Sequence, residues 1–240
     1  MKRGKTTIAF FAANKQMNKY LRLSKLSYNN DEKFLGENCT VRFYDGQKLE
    51  RSDVQFYTLD YEDELVIAIR GSSSISDFMN DSFCWTENFF DVNEKGCRVH
   101  AGFVEQYLSM RMNMLIEVFH AFSKNKKRVT FTGHSLGGAL ATICGCVVKN
   151  TLPELCVSVY TYGSPRVGNK IFAKLFEAVD VSIRVVNGSD PVTTIPYWGY
   201  EHVKGETLIG HKSFTRISDH YLVSYEESTK NFGFCDQNIL

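Results

Sequence analysis

The chain has 240 residues, 43% hydrophobic and 23% charged, a globular composition with room for one α/β domain and its core; two full domains would be cramped, and extensive disorder is excluded. Lys and Arg number 28 against 27 Asp and Glu, so the net charge is +1 and no global field draws in nucleic acid or an anionic membrane.

At the start, Thr6–Ala13 follows the basic Met1–Lys5 and is apolar. It resembles a weak signal peptide, which leaves secretion open, but it sits at the low end of signal-peptide core length and opens on two threonines, so it reads first as a structural segment within an N-terminal extension, residues 1–14. Asn14–Tyr28 carries Met17, Tyr20, Leu21, Leu23 and Leu26 at loosely helical spacing. Thr40–Tyr44 and Val54–Leu59 read as strands parted by a polar turn at Asp45-Gly46. Leu65–Ile69 is short and wholly apolar, as a strand buried on both faces must be. Phe103–Ser123 is an amphipathic helix, Val129–Thr132 a strand, and Leu136–Lys149 a helix of small residues. Strand Val157–Tyr162, helix Asn169–Val179 and strand Ile183–Val186 complete an alternation that predicts βαβ units and a mostly parallel sheet with antiparallel edges.

With four prolines and no linker, repeat or low-complexity stretch, residues 1–240 read as one domain. Seven cysteines is an odd count. Cys144 and Cys146 stand two apart in a helix-like run and point to different sides. Reduced, mostly buried thiols are expected, and with them a cytoplasmic location. No apolar run reaches membrane-spanning length, so no transmembrane segment is expected.

Gly133-His134-Ser135-Leu136-Gly137-Gly138 is a G-x-S-x-G motif between a strand and a helix. That setting puts a serine on a sharp turn at the carboxyl edge of the sheet, with thin neighbours so that strand and helix can approach. A glycine-rich turn with an incidental serine is the plainer alternative, and the flanking strand and helix argue against it.

A serine hydroxyl needs a base, and the base needs a carboxylate to orient it. In this setting the order is Ser, acid, His. Asp190 follows the strand Ile183–Val186 in a loop and is the candidate acid, although an aspartate before proline also builds turns. His202, His211 and His220 all follow it, and pattern alone puts His220 only slightly ahead. The backbone N–H of Leu136 is one candidate oxyanion donor. Ser72, in the loop leaving Leu65–Ile69, is the other, unless that serine-rich loop only caps a helix.

Taken together, AIRGSSSISDF, VHAGFVEQY, TGHSLGGALA, YTYGSPRVGN, VVNGSDPVTTIP and DHYLVSY resemble, in order, blocks of the class 3 (fungal-type) lipase family. The match runs from about Leu23 to Tyr225. It implies an α/β-hydrolase fold, a Ser135–Asp190–His220 triad, and an oxyanion hole at Ser72 and Leu136. It also raises His220 well above the other histidines. Residues 73–90 resemble a short lid, with Phe78, Met79, Phe83 and Trp85 as substrate-facing candidates. The Asp190-to-His220 gap is shorter than in the secreted fungal enzymes, and no disulfide framework is evident.

The resemblance implies a lipid ester substrate, met at a membrane or micelle surface, and a reaction that calls for no cofactor and no metal. Two alternatives stay open: a non-lipid carboxylesterase on the same fold, and an inactive lipase-like binding module. The lid aromatics could equally be core residues.

Overall fold

The computed structural model describes residues 2–28, 39–46, 54–71, 85–211 and 216–232, with side chains of the first helix described from residue 13. Seven strands form one sheet in the order β1 (Thr40–Asp45), β2 (Gln55–Asp60), β3 (Glu64–Ile69), β6 (Arg128–His134), β7 (Cys156–Tyr162), β8 (Val181–Asn187) and β9 (Glu206–Ile209). The first three pair antiparallel, and β3 through β9 pair parallel. A separate ribbon joins β4 (Thr86–Asn88) to β5 (Arg98–His100).

Strand residues alternate between two cores because successive side chains leave opposite faces. Leu65, Ile67 and Ile69 of β3 join Val157 and Val159 of β7 on one face, under helices α2 (Ala101–Ser123), α3 (Leu136–Thr151) and α4 (Lys170–Phe176). Val66, Ala68, Tyr160 and Tyr162 occupy the other face, under α1 (Lys2–Leu26) and α5 (Leu222–Asn231). Central strands sandwiched in this way are largely apolar, and all six residues of β3 are buried, Glu64 among them. The α/β-hydrolase class expected from the sequence is therefore the class observed.

Helix α1 runs through the residues expected to be an extension; past Gly4 nothing in that stretch breaks a helix. Its tie to the sheet is polar as well as apolar. Tyr20 and Thr130 donate to one oxygen of the buried Glu64, at 2.7 and 2.6 Å, and Lys19 pairs with the other at 3.1 Å. Burial alone would raise the Glu64 pKa, but these donors outweigh it and hold the carboxyl below its ordinary value. Leu21, fully buried beside them, contributes roughly 1.5–3 kcal/mol as a side chain of its size. Helix α4 starts where the Asn169 side chain accepts from the N–H of Phe172, and ends three residues earlier than the pattern suggests.

All parallel strands end at one edge. Ser135 follows β6, Gly163 follows β7 and Asp190 follows β8 there, where open α/β sheets bind their ligands.

Candidate active site

Ser135 sits between the last residue of β6 and the first of α3 with φ 57° and ψ −124°. A non-glycine residue there stores on the order of 1–3 kcal/mol of strain. The surroundings impose it: the Ser135 N–H donates to the Tyr162 carbonyl at 2.9 Å, and its own carbonyl accepts from Gly138 and Ala139. Close approach of α3 to β3 needs Gly137, since a methyl there would fall 2.3 Å from the Ile69 carbonyl oxygen and 3.0 Å from the Gly71 nitrogen. The segment leading into Ser72 thus lies against the elbow. Leu136 is the first residue of α3, so its N–H has no partner within the helix and is open to an anion.

Asp190 and His220 come together across 30 residues. His220 Nδ1 lies 2.8 Å from Asp190 Oδ2 and 3.0 Å from Oδ1, both residues being almost fully buried. Facing a carboxylate, Nδ1 carries the ring proton, which leaves the Nε2 lone pair as the base. Nε2 is buried and has no hydrogen-bond partner among the described residues. The turn after β7 brings this pair next to the elbow. A methyl at Gly163, where φ is +62°, would fall 2.8 Å from Asp190 Oδ2 and 2.9 Å from His220 Nδ1, while the carbonyl of the preceding Tyr162 holds Ser135.

Further residues, unmarked in the sequence, hold the pair. The Val192 N–H donates to Asp190 Oδ1 at 2.9 Å. Tyr225, on α5, donates to Oδ2 at 2.7 Å, and burial together with the nearby Asp190 charge raises its pKa so that it stays a donor. Asn187 accepts the Asp190 backbone N–H on its carbonyl at 3.0 Å and fixes the His220 loop, donating from Nδ2 to the Asp219 carbonyl at 2.9 Å. Tyr225 lies five residues beyond His220, and only the turn Ile217–His220 leading into α5 points its ring back at the acid. No local pattern carries that information.

The other histidines lie elsewhere. His202 donates from Nε2 to the Thr193 carbonyl, bracing the turn after Asp190; burial and the nearby Arg184 lower its pKa to about 4. His211 is exposed. His134 packs its ring 4.7 Å from that of His220. Ser72, Phe78, Met79 and Phe83 lie outside the described residues. Of the expected lid, Trp85 and Phe90 are exposed, whereas Phe89 is buried edge-on against Tyr107 and Phe172.

Comparison with known proteins adds to this geometry. The family model for Lipase (class 3) matches residues 66–200. The chain is 36% identical over 148 residues to secreted mono- and diacylglycerol lipase 1 of Fusarium solani, covering 60% of this chain and 43% of that protein. It is 30% identical to secreted mono- and diacylglycerol lipase LIP1 of Malassezia globosa, covering 58% and 49%. It thus spans about half the length of the curated relatives it matches. Among solved structures, lipase II from Rhizopus niveus superposes with a TM-score of 0.73 at 25% identity, over 93% of this chain and 91% of that one.

These relatives overturn the expectation of a cytoplasmic location, since both are named as secreted. The expectation rested on the thiols, and for two of them burial removes its basis, although Cys156 is exposed. Cys144 and Cys146 are fully buried packing residues of α3, and burial pushes their pKa values far up, so they are inert. Such thiols need no reducing compartment to stay free.

Proposed function

Since the chain belongs to the class 3 lipase family, we propose that it is a serine hydrolase that cleaves carboxylic esters of lipids through an acyl-enzyme on Ser135. The observation that carries this is the His220 ring, locked by Asp190 on one nitrogen and bare on the other, beside a strained serine. Hydrogen bonds of this kind often close only when substrate is bound, so a free Nε2 suits a base awaiting its ester.

His220 Nε2 takes the Ser135 proton as Oγ bonds to the ester carbon. The carbonyl oxygen becomes an alkoxide, held by the N–H of Leu136 and by Ser72. As the alkoxide collapses, the ester C–O bond breaks and His220 returns the proton to the leaving alcohol. Water, deprotonated by the same nitrogen, then frees the acid and restores Ser135. Asp190 stays ionised throughout and stabilises the imidazolium.

A lipid substrate is supported by the rim of this sheet edge. Trp85 is 86% exposed and Trp198 84%, with Phe90 and Tyr197 also exposed. The Trp85 carbonyl accepts from Ala101 at the start of α2, and Tyr197-Trp198 follow the turn behind Asp190. Amphipathic aromatics of this kind favour a lipid–water boundary. Among the described residues no helix is long and apolar enough to cross a membrane. Action outside the cell, as the names of the secreted relatives indicate for them, completes the proposal.

Hydrolysis of nitrophenyl esters from acetyl to palmitoyl, alone and with detergent micelles, tests this reading alongside fluorophosphonate labelling. Label on Ser135, loss of turnover in Ser135→Ala, and preference for octanoyl or longer chains are expected. A preference for acetyl indifferent to micelles overturns the lipid assignment. An unlabelled Ser135 in folded protein overturns the hydrolase.

A further inference from the structure

A chain of hydrogen bonds runs behind the nucleophile from the loop of His220 to Tyr28, which packs against Gly71. His134 Nε2 lies 2.7 Å from the backbone carbonyl of His220. A carbonyl oxygen only accepts, so Nε2 carries the proton. Burial, reinforced by the neighbouring His220 ring, holds the His134 pKa down at about 3, so the ring is neutral and its Nδ1 has a lone pair. Nδ1 is 3.0 Å from the hydroxyl of Tyr28, which must therefore be the donor. The Tyr28 hydroxyl also lies against Gly71, where a methyl would fall 2.2 Å from its oxygen. The guanidinium of Arg70 lies 5.7 Å from the centre of the Tyr28 ring.

We propose that Tyr28 and His134 form a positioning couple that sets the spacing between the segment ending at Gly71, which leads to the expected oxyanion donor, and the loop of the base, His220, across the back of the elbow. This rests on Ser135 and His220 being the reacting pair. Both hydrogen bonds have one direction, Tyr28 O–H to His134 Nδ1 and His134 Nε2–H to the His220 carbonyl, and Tyr28 meets Gly71 by close packing. The couple touches neither substrate nor reacting atoms. Its effect is geometric, since an oxyanion donor and a general base act together only when both sit correctly around one carbonyl. The residue beside the nucleophile and the end of the first helix thereby become parts of the catalytic framework. Position 134 wants a ring with one donor and one acceptor on opposite sides, and a neutral histidine supplies both.

The test uses the full chain carrying 15N-labelled histidine, a soluble nitrophenyl ester and a fluorophosphonate probe. In wild type the His134 ring should show Nε2–H and a bare Nδ1, unchanged from pH 5 to pH 8. Tyr28→Phe and His134→Leu should each lower kcat by about tenfold or more, with KM held within about twofold, since roughly 1.4 kcal/mol of misplacement is tenfold in rate. His134→Gln, which keeps a donor and an acceptor, should recover part of that loss. Labelling rates scaled to the folded fraction should follow kcat, which a purely structural role would not produce. A His134 that titrates near 6.5 or carries its proton on Nδ1 overturns the couple. So do Tyr28→Phe and His134→Leu proteins that are less stable yet label at the wild-type rate, while Ser135→Ala fails to label. Labelling that persists in Ser135→Ala instead overturns the hydrolase reading, and this proposal with it.

Discussion

Tyr225 donates to the same oxygen of Asp190 that faces the His220 ring, at 2.7 Å against 2.8 Å. Its hydroxyl also accepts the backbone N–H of Asn187, so one phenol ties α5 to the end of β8 and to the acid. Removing that hydroxyl strips a buried carboxylate of a donor and strands a buried N–H. Tyr225→Phe should therefore cost about 1–3 kcal/mol of stability, read from the urea midpoint, and lower turnover as Asp190 holds the imidazole less firmly. A variant as stable and as fast as wild type would remove the tie from the account.

The backbone at Ser135 leads to a second expectation, about stability rather than rate. Glycine adopts φ 57° with ψ −124° far more readily than alanine does. Ser135→Gly should be about 1 kcal/mol more stable than Ser135→Ala, although both are inactive, with unfolded-state entropy taking back part of the gain. Equal denaturation midpoints would mean that the bend is not strained.

Acid should weaken the fold in a defined order. His134 and His202 have folded pKa values lowered to about 3 and about 4, against an ordinary 6.5. Between those limits the unfolded chain binds more protons, so the neutral rings stabilise the fold fully above pH 6.5 and progressively less as pH falls towards 4 and then 3. Glu64 adds the same sign below its ordinary 4.5, because its folded pKa is depressed. Urea midpoints measured across this range should fall on acidification. His202→Gln should shed close to one proton of the slope between pH 6 and pH 4.5, about 1.4 kcal/mol per pH unit at most. An unaltered slope would show that His202 is protonated in the native state.

Both tryptophans of the chain, Trp85 and Trp198, are exposed. Tryptophan fluorescence therefore reports on these two surface positions alone. Phosphatidylcholine vesicles should shift the emission to the blue and protect it from acrylamide, and Trp85→Phe should keep the signal from Trp198. Emission indifferent to vesicles would separate the rim from lipid contact.

Some of this was legible before any coordinates. The wholly apolar Leu65–Ile69 announced a strand covered on both faces, because a two-layer cover leaves no polar side. The glycines around Ser135 announced a turn too tight for side chains. Residue order placed an acid at Asp190. The helix over residues 2–26 was harder to see, since much of its length is shared between polar and apolar residues without a clear stripe. Helix α5 was harder still, its start marked only by a polar turn.

The amino-acid order by itself determined what depends on neighbours along the chain: the alternation of elements, the elbow, and the kinds of residue able to act there. Tertiary structure decided what depends on contact between distant segments. It chose His220 by burying it on Asp190, brought Tyr225 to the same carboxylate, and turned His134 towards Tyr28. Those choices come from packing and from the need of each buried polar atom for a partner, and neither is written in the spacing of residues along one strand of sequence.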